Sequence, residues 1–153
     1  VKAKRILCPI DFSESSAPLI RFVHSIATED ATVFFLHAFK SYEASGSHFS
    51  PEQVEQERCI ELKQLLEILP PSFNRTTECI VEFGHPAETI IKYACENEID
   101  LIVIATHGRT GLDRLLLGST AEAVMRQATC PVMAIKTALI QSASAESAAN
   151  RKT

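Results

Sequence analysis

Short apolar runs alternate along this chain with stretches in which apolar residues recur every three or four positions. Arg5-Ile-Leu-Cys-Pro-Ile10 is a run with a β-branched bias, which predicts a buried strand ending near Pro9, where proline brings no N–H to the ladder. Asp11 to Ser16 supply capping candidates, and Leu19, Phe22, Val23 and Ile26 follow at helical spacing, with Pro18 tolerable only in the first turn. Thr32 to Phe39 is nearly continuous in apolar residues, as strands covered on both faces are. After a polar loop over 40–49, Ser50-Pro51-Glu52-Gln53 combines an N-cap, a proline at N1 and a glutamine at N3. The helix it opens is predicted to present Leu62, Leu65, Leu66 and Leu69 along one face until Pro70-Pro71 ends it. Thr76 to Phe83 alternates, with Cys79, Val81 and Phe83 on one side, and predicts a third strand. The turn Gly84-His85-Pro86 leads to a helical stripe of Ala87, Ile90, Ile91 and Ala94. Leu101 to Ala105 is the fourth strand, and Ala121, Val124, Met125 and Ala128 give the fourth helix its buried face before Cys130-Pro131. Val132 to Ile135 is a fifth strand, read as an edge because of the proline beside it.

Strands alternating with helices mean βα crossovers and a mainly parallel sheet with helices on both faces. Ligands bind such sheets beyond the carboxyl ends of the strands, where the strand order reverses. Asp11, His37-Ala38, Gly84-His85 and the segment from Thr106 to Gly111 all follow strands. The pattern gives one domain over 1–137 and a Ser/Ala-rich tail over 138–153, either disordered or a loosely docked helix, and no internal repeat.

Composition narrows the partners. The 153 residues, 46% hydrophobic and 22% charged, suit an ordinary globular domain, and the net charge of −4 with a pI near 5.7 gives no general attraction to nucleic acid. The cysteines at 8, 59, 79, 95 and 130 are odd in number and form no C-x-x-C pair, so they are expected to be reduced interior residues. No apolar run reaches the roughly 20 residues of a membrane span. Val1 to Arg5 leads straight into a strand with no secretory apolar region, so a cytoplasmic address is expected.

The chemistry concentrates between Leu101 and Met125. A strand runs into Thr106-His-Gly-Arg-Thr-Gly111, and Gly118-Ser119-Thr120 then opens a helix. Glycines let backbone approach a ligand, and the free N–H groups and positive dipole end of a helix favour an anion. Three successive amides at Gly118, Ser119 and Thr120, with two hydroxyls, are expected to converge on a di- or triphosphate. Against this, Ser119 and Glu122 fit a capping box that would close the helix end without a ligand. Neither a P-loop nor a dinucleotide fingerprint is present. Asp11 reads as a turn residue or as a carboxylate facing ribose hydroxyls or a metal ion. His107 reads as a turn histidine, a phosphate donor or an acid-base group, and Arg109 lies close enough to the glycines to face phosphate. No G-x-S-x-G supports a serine hydrolase, and the histidines lack zinc-ligand spacing.

These residues resemble the universal stress proteins from Lys4 to Lys136. The likeness rests on Ile6-Leu-Cys-Pro-Ile-Asp-Phe-Ser13, Phe35-Leu-His-Ala38, Gly84-His-Pro86, the segment from Asp100 to Gly111, Leu115-Leu-Leu-Gly-Ser-Thr-Ala-Glu122 and Cys130-Pro-Val132. The ATP-binding branch carries G-x2-G-x9-G-[ST]; Gly108 and Gly118-Ser119 fit it, while Ala105 stands in place of the first glycine. The resemblance implies a Rossmann-like, adenine nucleotide alpha hydrolase-like three-layer α/β sandwich with a five-stranded parallel sheet of order 3-2-1-4-5. It implies that Pro9 and Ala38 flank adenine, Ala38 bonding through its backbone, that Ile104 and Ala105 line the pocket floor, and that Asp11 faces ribose or metal. His107, Gly108, Arg109, Gly118, Ser119 and Thr120 would hold the phosphates of ATP, or of ADP or AMP, with magnesium. It implies a homodimer through the last strand, Val132 to Lys136. One carboxylate and no clear base argue for a binding or signalling module over a catalyst. The alternatives are a nucleotide-free dimeric scaffold and a slow ATP hydrolase in which His107 and Asp11 act as an acid-base pair.

Overall fold

A computed structural model describes residues 3–39, 50–70, 76–106 and 117–136. The expected loop over 40–49, Pro71, the glycine loop with His107, Gly108 and Arg109, and the tail lie outside the described residues. The elements run β1 (Arg5–Pro9), α1 (Ser16–Ile26), β2 (Thr32–Phe39), α2 (Pro51–Glu67), β3 (Thr76–Phe83), α3 (Pro86–Glu96), β4 (Leu101–Ala105), α4 (Ser119–Gln127) and β5 (Val132–Ile135). All strand pairs are parallel and the sheet order is β3-β2-β1-β4-β5, as the family resemblance implies.

The period of two in the central strands divides the core. Ile6, Cys8, Val33, Phe35 and Val103 pack on one face against Leu19, Ile20 and Val23 of α1 and Leu65 of α2. Leu7, Phe34, Leu36, Ile102 and Ile104 point to the other face, against Ala87, Ile90 and Ala94 of α3 and Ala121 and Val124 of α4. The chain therefore starts in the middle of the sheet, builds outward to β3 with its helices on one face, then returns to β4 with its helices on the other. Right-handed crossovers require the change of face when the direction reverses, and the reversal falls between β1 and β4.

Three helical positions and one strand position depart from the expected stripes. Leu66 is 56% exposed and Met125 48%, because a narrow stripe suffices where a helix lies flat on a sheet. In α1, Ile20 is buried while Ile26, in the last turn, is exposed. Phe83 is exposed at the end of edge strand β3, edge-to-face with Phe39. The helix α2 opens on the expected capping box, Ser50 and Gln53 exchanging both bonds, and ends before Pro70. The cysteines are all free but not all interior: Cys59 and Cys95 are exposed, whereas burial pushes the Cys8 thiol up.

Asp100 ties the start of the central strand to the approach of β4, accepting from Lys4 N–H at 2.8 Å and Arg5 N–H at 2.9 Å. Those two donors hold its carboxyl below the usual range. A group whose pKa falls on folding contributes stability that is complete above its unfolded value and fades as pH drops through its native one. Asp100→Asn is therefore expected to lower the melting temperature at neutral pH, the gap to wild type narrowing as the solution is acidified. Thermal melts across the acid range check this; a gap that stays constant would exclude the carboxylate charge as the cause.

Candidate functional site

Backbone direction at the strand ends builds the site. Arg5 C=O accepts from Asp100 N–H and Ile10 N–H donates to Leu36 C=O, each at 2.9 Å. Along a strand the bonding direction alternates, so residues 5, 7 and 9 of β1 face β4 while residues 8 and 10 face β2. The next donor toward β4 falls on Pro9, which has none. Pairing of β1 with β4 covers only Ile6↔Leu101 and Leu7↔Ile102, and beyond it the two chains part. A cavity of about 540 Å³ opens there, within the size range of small-molecule sites.

Pro9, Asp11, Ala38, Ile104, Ala105, Gly118, Ser119 and Thr120 all line this cavity. Ala105 ends β4 opposite Ile135, and its methyl group leaves the cavity open. Asp11 Oδ1 accepts from Ser13 N–H at 3.0 Å and from Ser16 Oγ at 3.3 Å, so the carboxylate anchors the turn into α1 at the cavity wall. The next residue, Phe12, has a φ of +58°, a left-handed conformation that costs an aromatic residue energy and persists only where the surroundings hold it. Its ring packs 4.4 Å from the His37 imidazole.

The start of α4 differs from the expected arrangement in two respects. Ser119 occupies N1 and Gly118 the N-cap, so the Ser119–Glu122 capping box does not form, and Glu122 pairs with Arg126 instead. Gly118 N–H donates to Thr106 C=O at 2.7 Å, which removes it from the three amides expected at an anion. The first-turn amides of Ser119, Thr120 and Ala121 line the cavity, with no side-chain cap among the described residues. Thr106 N–H bonds Ile135 C=O at 3.0 Å, so this corner is tied to β5.

Sequence reasoning missed the opposite wall. Glu57 and Glu61 of α2 line the cavity four residues apart, a spacing easily taken for a solvated helix face. Buried His37 places Nδ1 2.7 Å from Ile10 C=O and Nε2 3.4 Å from Glu61 Oε2. A carbonyl only accepts, so Nδ1 carries the proton. Among the described residues no group of three His, Cys, Asp or Glu side chains could hold a metal. A second concavity, about 740 Å³, follows the outer face of α2 from Pro51 to Ile60; it draws on one helix and no strand end, so converging groups are missing there.

A parallel α/β sandwich with a cavity at its switch point, apolar on its floor and flanked by a helix N-terminus, is a Rossmann-like fold. The chain belongs to the universal stress protein family, whose model matches residues 2–136. It is 37% identical over 143 residues to a universal stress protein A homologue of Coxiella burnetii, covering 86% of this chain and 95% of that one. The solved structure of a universal stress protein of Methanocaldococcus jannaschii is 28% identical, with a TM-score of 0.76 over 88% of this chain and 96% of that one. The same fold occurs in a universal stress protein of Archaeoglobus fulgidus solved in complex with dAMP, 21% identical with a TM-score of 0.62 over 89% of this chain and all of that one, 100%.

Gly118 has φ −62° and ψ 146°, which any residue adopts, so a larger side chain there tests space and not backbone strain. Gly118→Val is expected to fold normally and to weaken anion binding at α4. Loss of one or two charge-assisted hydrogen bonds, about 1.5–3 kcal/mol each, corresponds to roughly tenfold or more in affinity. Calorimetry with a nucleotide phosphate beside a thermal melt reads both; unchanged affinity would move the anion away from this helix.

Proposed function

We propose that the protein binds an adenine nucleotide, ATP with magnesium being the species best suited, as a binding and signalling module of the stress response in the cytoplasm. The observation that carries the reading is one continuous cavity running from the backbone of Ala38 to the uncapped first turn of α4. Its apolar floor, Pro9, Ile104 and Ala105, suits a purine face, and the α4 amides suit phosphate. The dAMP complex of the Archaeoglobus relative is a property of that protein, and at its identity the likeness bears on the fold. Asp11 is the carboxylate that would meet the ribose or the metal. Magnesium commonly binds through one or two carboxylates together with ligand phosphates, so a single Asp suits an ion that arrives with a polyphosphate. His107, Gly108 and Arg109 are proposed to complete the phosphate side from the glycine loop.

Calorimetry of the purified protein with ATP and magnesium, together with analysis of any nucleotide released on denaturation, tests the reading. Saturable binding of one nucleotide per chain is expected, and neither titrated nor co-purified nucleotide would leave a nucleotide-free scaffold.

The partner surface proposed for a second copy is edge strand β5, where Met133 is exposed. An unpaired parallel edge with an apolar side chain invites pairing with its own copy. Met133→Lys is expected to shift the sedimentation equilibrium toward monomer, and a dimer of undiminished strength would place the contact elsewhere.

A further inference from the structure

We propose that His37 is a positioning residue that frees the backbone of Ala38 to read the edge of the base. The inference rests on the adenine-nucleotide reading above.

The bonding directions along β2 carry the argument. Leu36 C=O accepts from Ile10 N–H and Phe39 C=O accepts from Gly84 N–H, so even-numbered residues of this stretch face β1 and odd-numbered ones face β3. Ala38 therefore directs both its N–H and its C=O toward β1, just past the point where β1 ends. In a continued parallel ladder Ala38 N–H would donate to the carbonyl of Ile10. That carbonyl is instead taken by the His37 imidazole, Nδ1 at 2.7 Å. The imidazole substitutes for the amide, so the ladder stops one bond early and Ala38 presents a donor and an acceptor side by side to the cavity it lines. The ring is held by its bond to Ile10 C=O and by Phe12, which packs 4.4 Å from it in a strained conformation.

A donor beside an acceptor complements adenine, whose N1 accepts and whose 6-amino group donates. Hypoxanthine reverses both positions. A site built on such a pair leaves buried polar groups unmatched when the wrong base enters.

The test compares AMP with IMP by calorimetry in wild type, His37→Leu and His37→Asn. Wild type is expected to prefer AMP by roughly tenfold or more, the range of a good bidentate contact. Leucine leaves Ile10 C=O to capture Ala38 N–H, so the preference should fall toward one while the phosphate contribution persists. The asparagine amide reaches where Nδ1 does and should restore the preference. A merely structural role would weaken both ligands together and leave their ratio alone, which would overturn the inference, as would a wild type indifferent between the two. A wild type that binds neither overturns the nucleotide reading itself, and this inference with it. Should His37→Leu not fold, hydrogen exchange at the Ala38 amide of wild type decides. Fast exchange slowed by AMP supports the role, and equal protection with and without AMP overturns it.

Discussion

The central strand β1 stops bonding to both neighbours at almost the same level, and the site exists because it does. Toward β4 the interruption is covalent, since Pro9 has no hydrogen to give. Toward β2 it is a competition, won at the Ile10 carbonyl by the His37 ring. Parallel sheets place ligand sites at such ends because the reversal of strand order leaves nothing above the crevice to fill it. In this chain the crevice is widened by two residues whose chemistry ends a ladder. The core beneath stays fully packed, with Leu7, Cys8, Phe35, Leu36, Ile102 and Val103 essentially inaccessible.

Strain and packing are concentrated on the same rim. Phe12 adopts its left-handed conformation between Asp11, which anchors the turn, and Ser13, which donates back to it. Outliers of this kind persist only where neighbours overdetermine them, and here the imidazole, the turn bonds and the buried start of α1 do so. The same small region thus fixes the Asp11 carboxylate, the His37 ring and the end of β2, so a change at one of them is transmitted to the others through direct contact.

Much of this was legible in the residues before any coordinates. The order of elements followed from apolar periodicity, the α2 start from Ser50 and Gln53, and the sheet order from the family resemblance that Cys8-Pro-Ile-Asp11 and Gly118-Ser119 carry. What stayed hidden has a common cause: it depends on partners distant in sequence. The loss of the Gly118 amide to Thr106 spans the glycine loop, and the His37 contacts with Ile10 and Glu61 join three separate elements. The missing capping box is a shift of one residue, smaller than the uncertainty with which a helix start can be read from spacing. Helix faces were overestimated at Leu66 and Met125 because periodicity shows which side is apolar but not how much of it the sheet covers.

Charge sets the remaining problem for the proposed ligand, an anion, since the chain has a net charge of −4. Among the described residues that line the cavity none is Lys or Arg, while Asp11, Glu57 and Glu61 are acidic. Among these described residues the attraction for the proposed phosphate comes from oriented dipoles, to which the proposed Arg109 of the glycine loop would add a cation. The first-turn amides of α4, without a side-chain cap among the described residues, carry about half a positive charge between them, and they act where low-dielectric walls limit screening. The acidic α2 wall lies at the other end of the same cavity, beside the end of β2. The proposed ligand, with one anionic end, would therefore be oriented as well as held, its charge drawn to α4 and repelled by α2. Net charge describes how the whole molecule meets its surroundings; the field inside the crevice is set by the local arrangement of backbone dipoles and charged side chains around it.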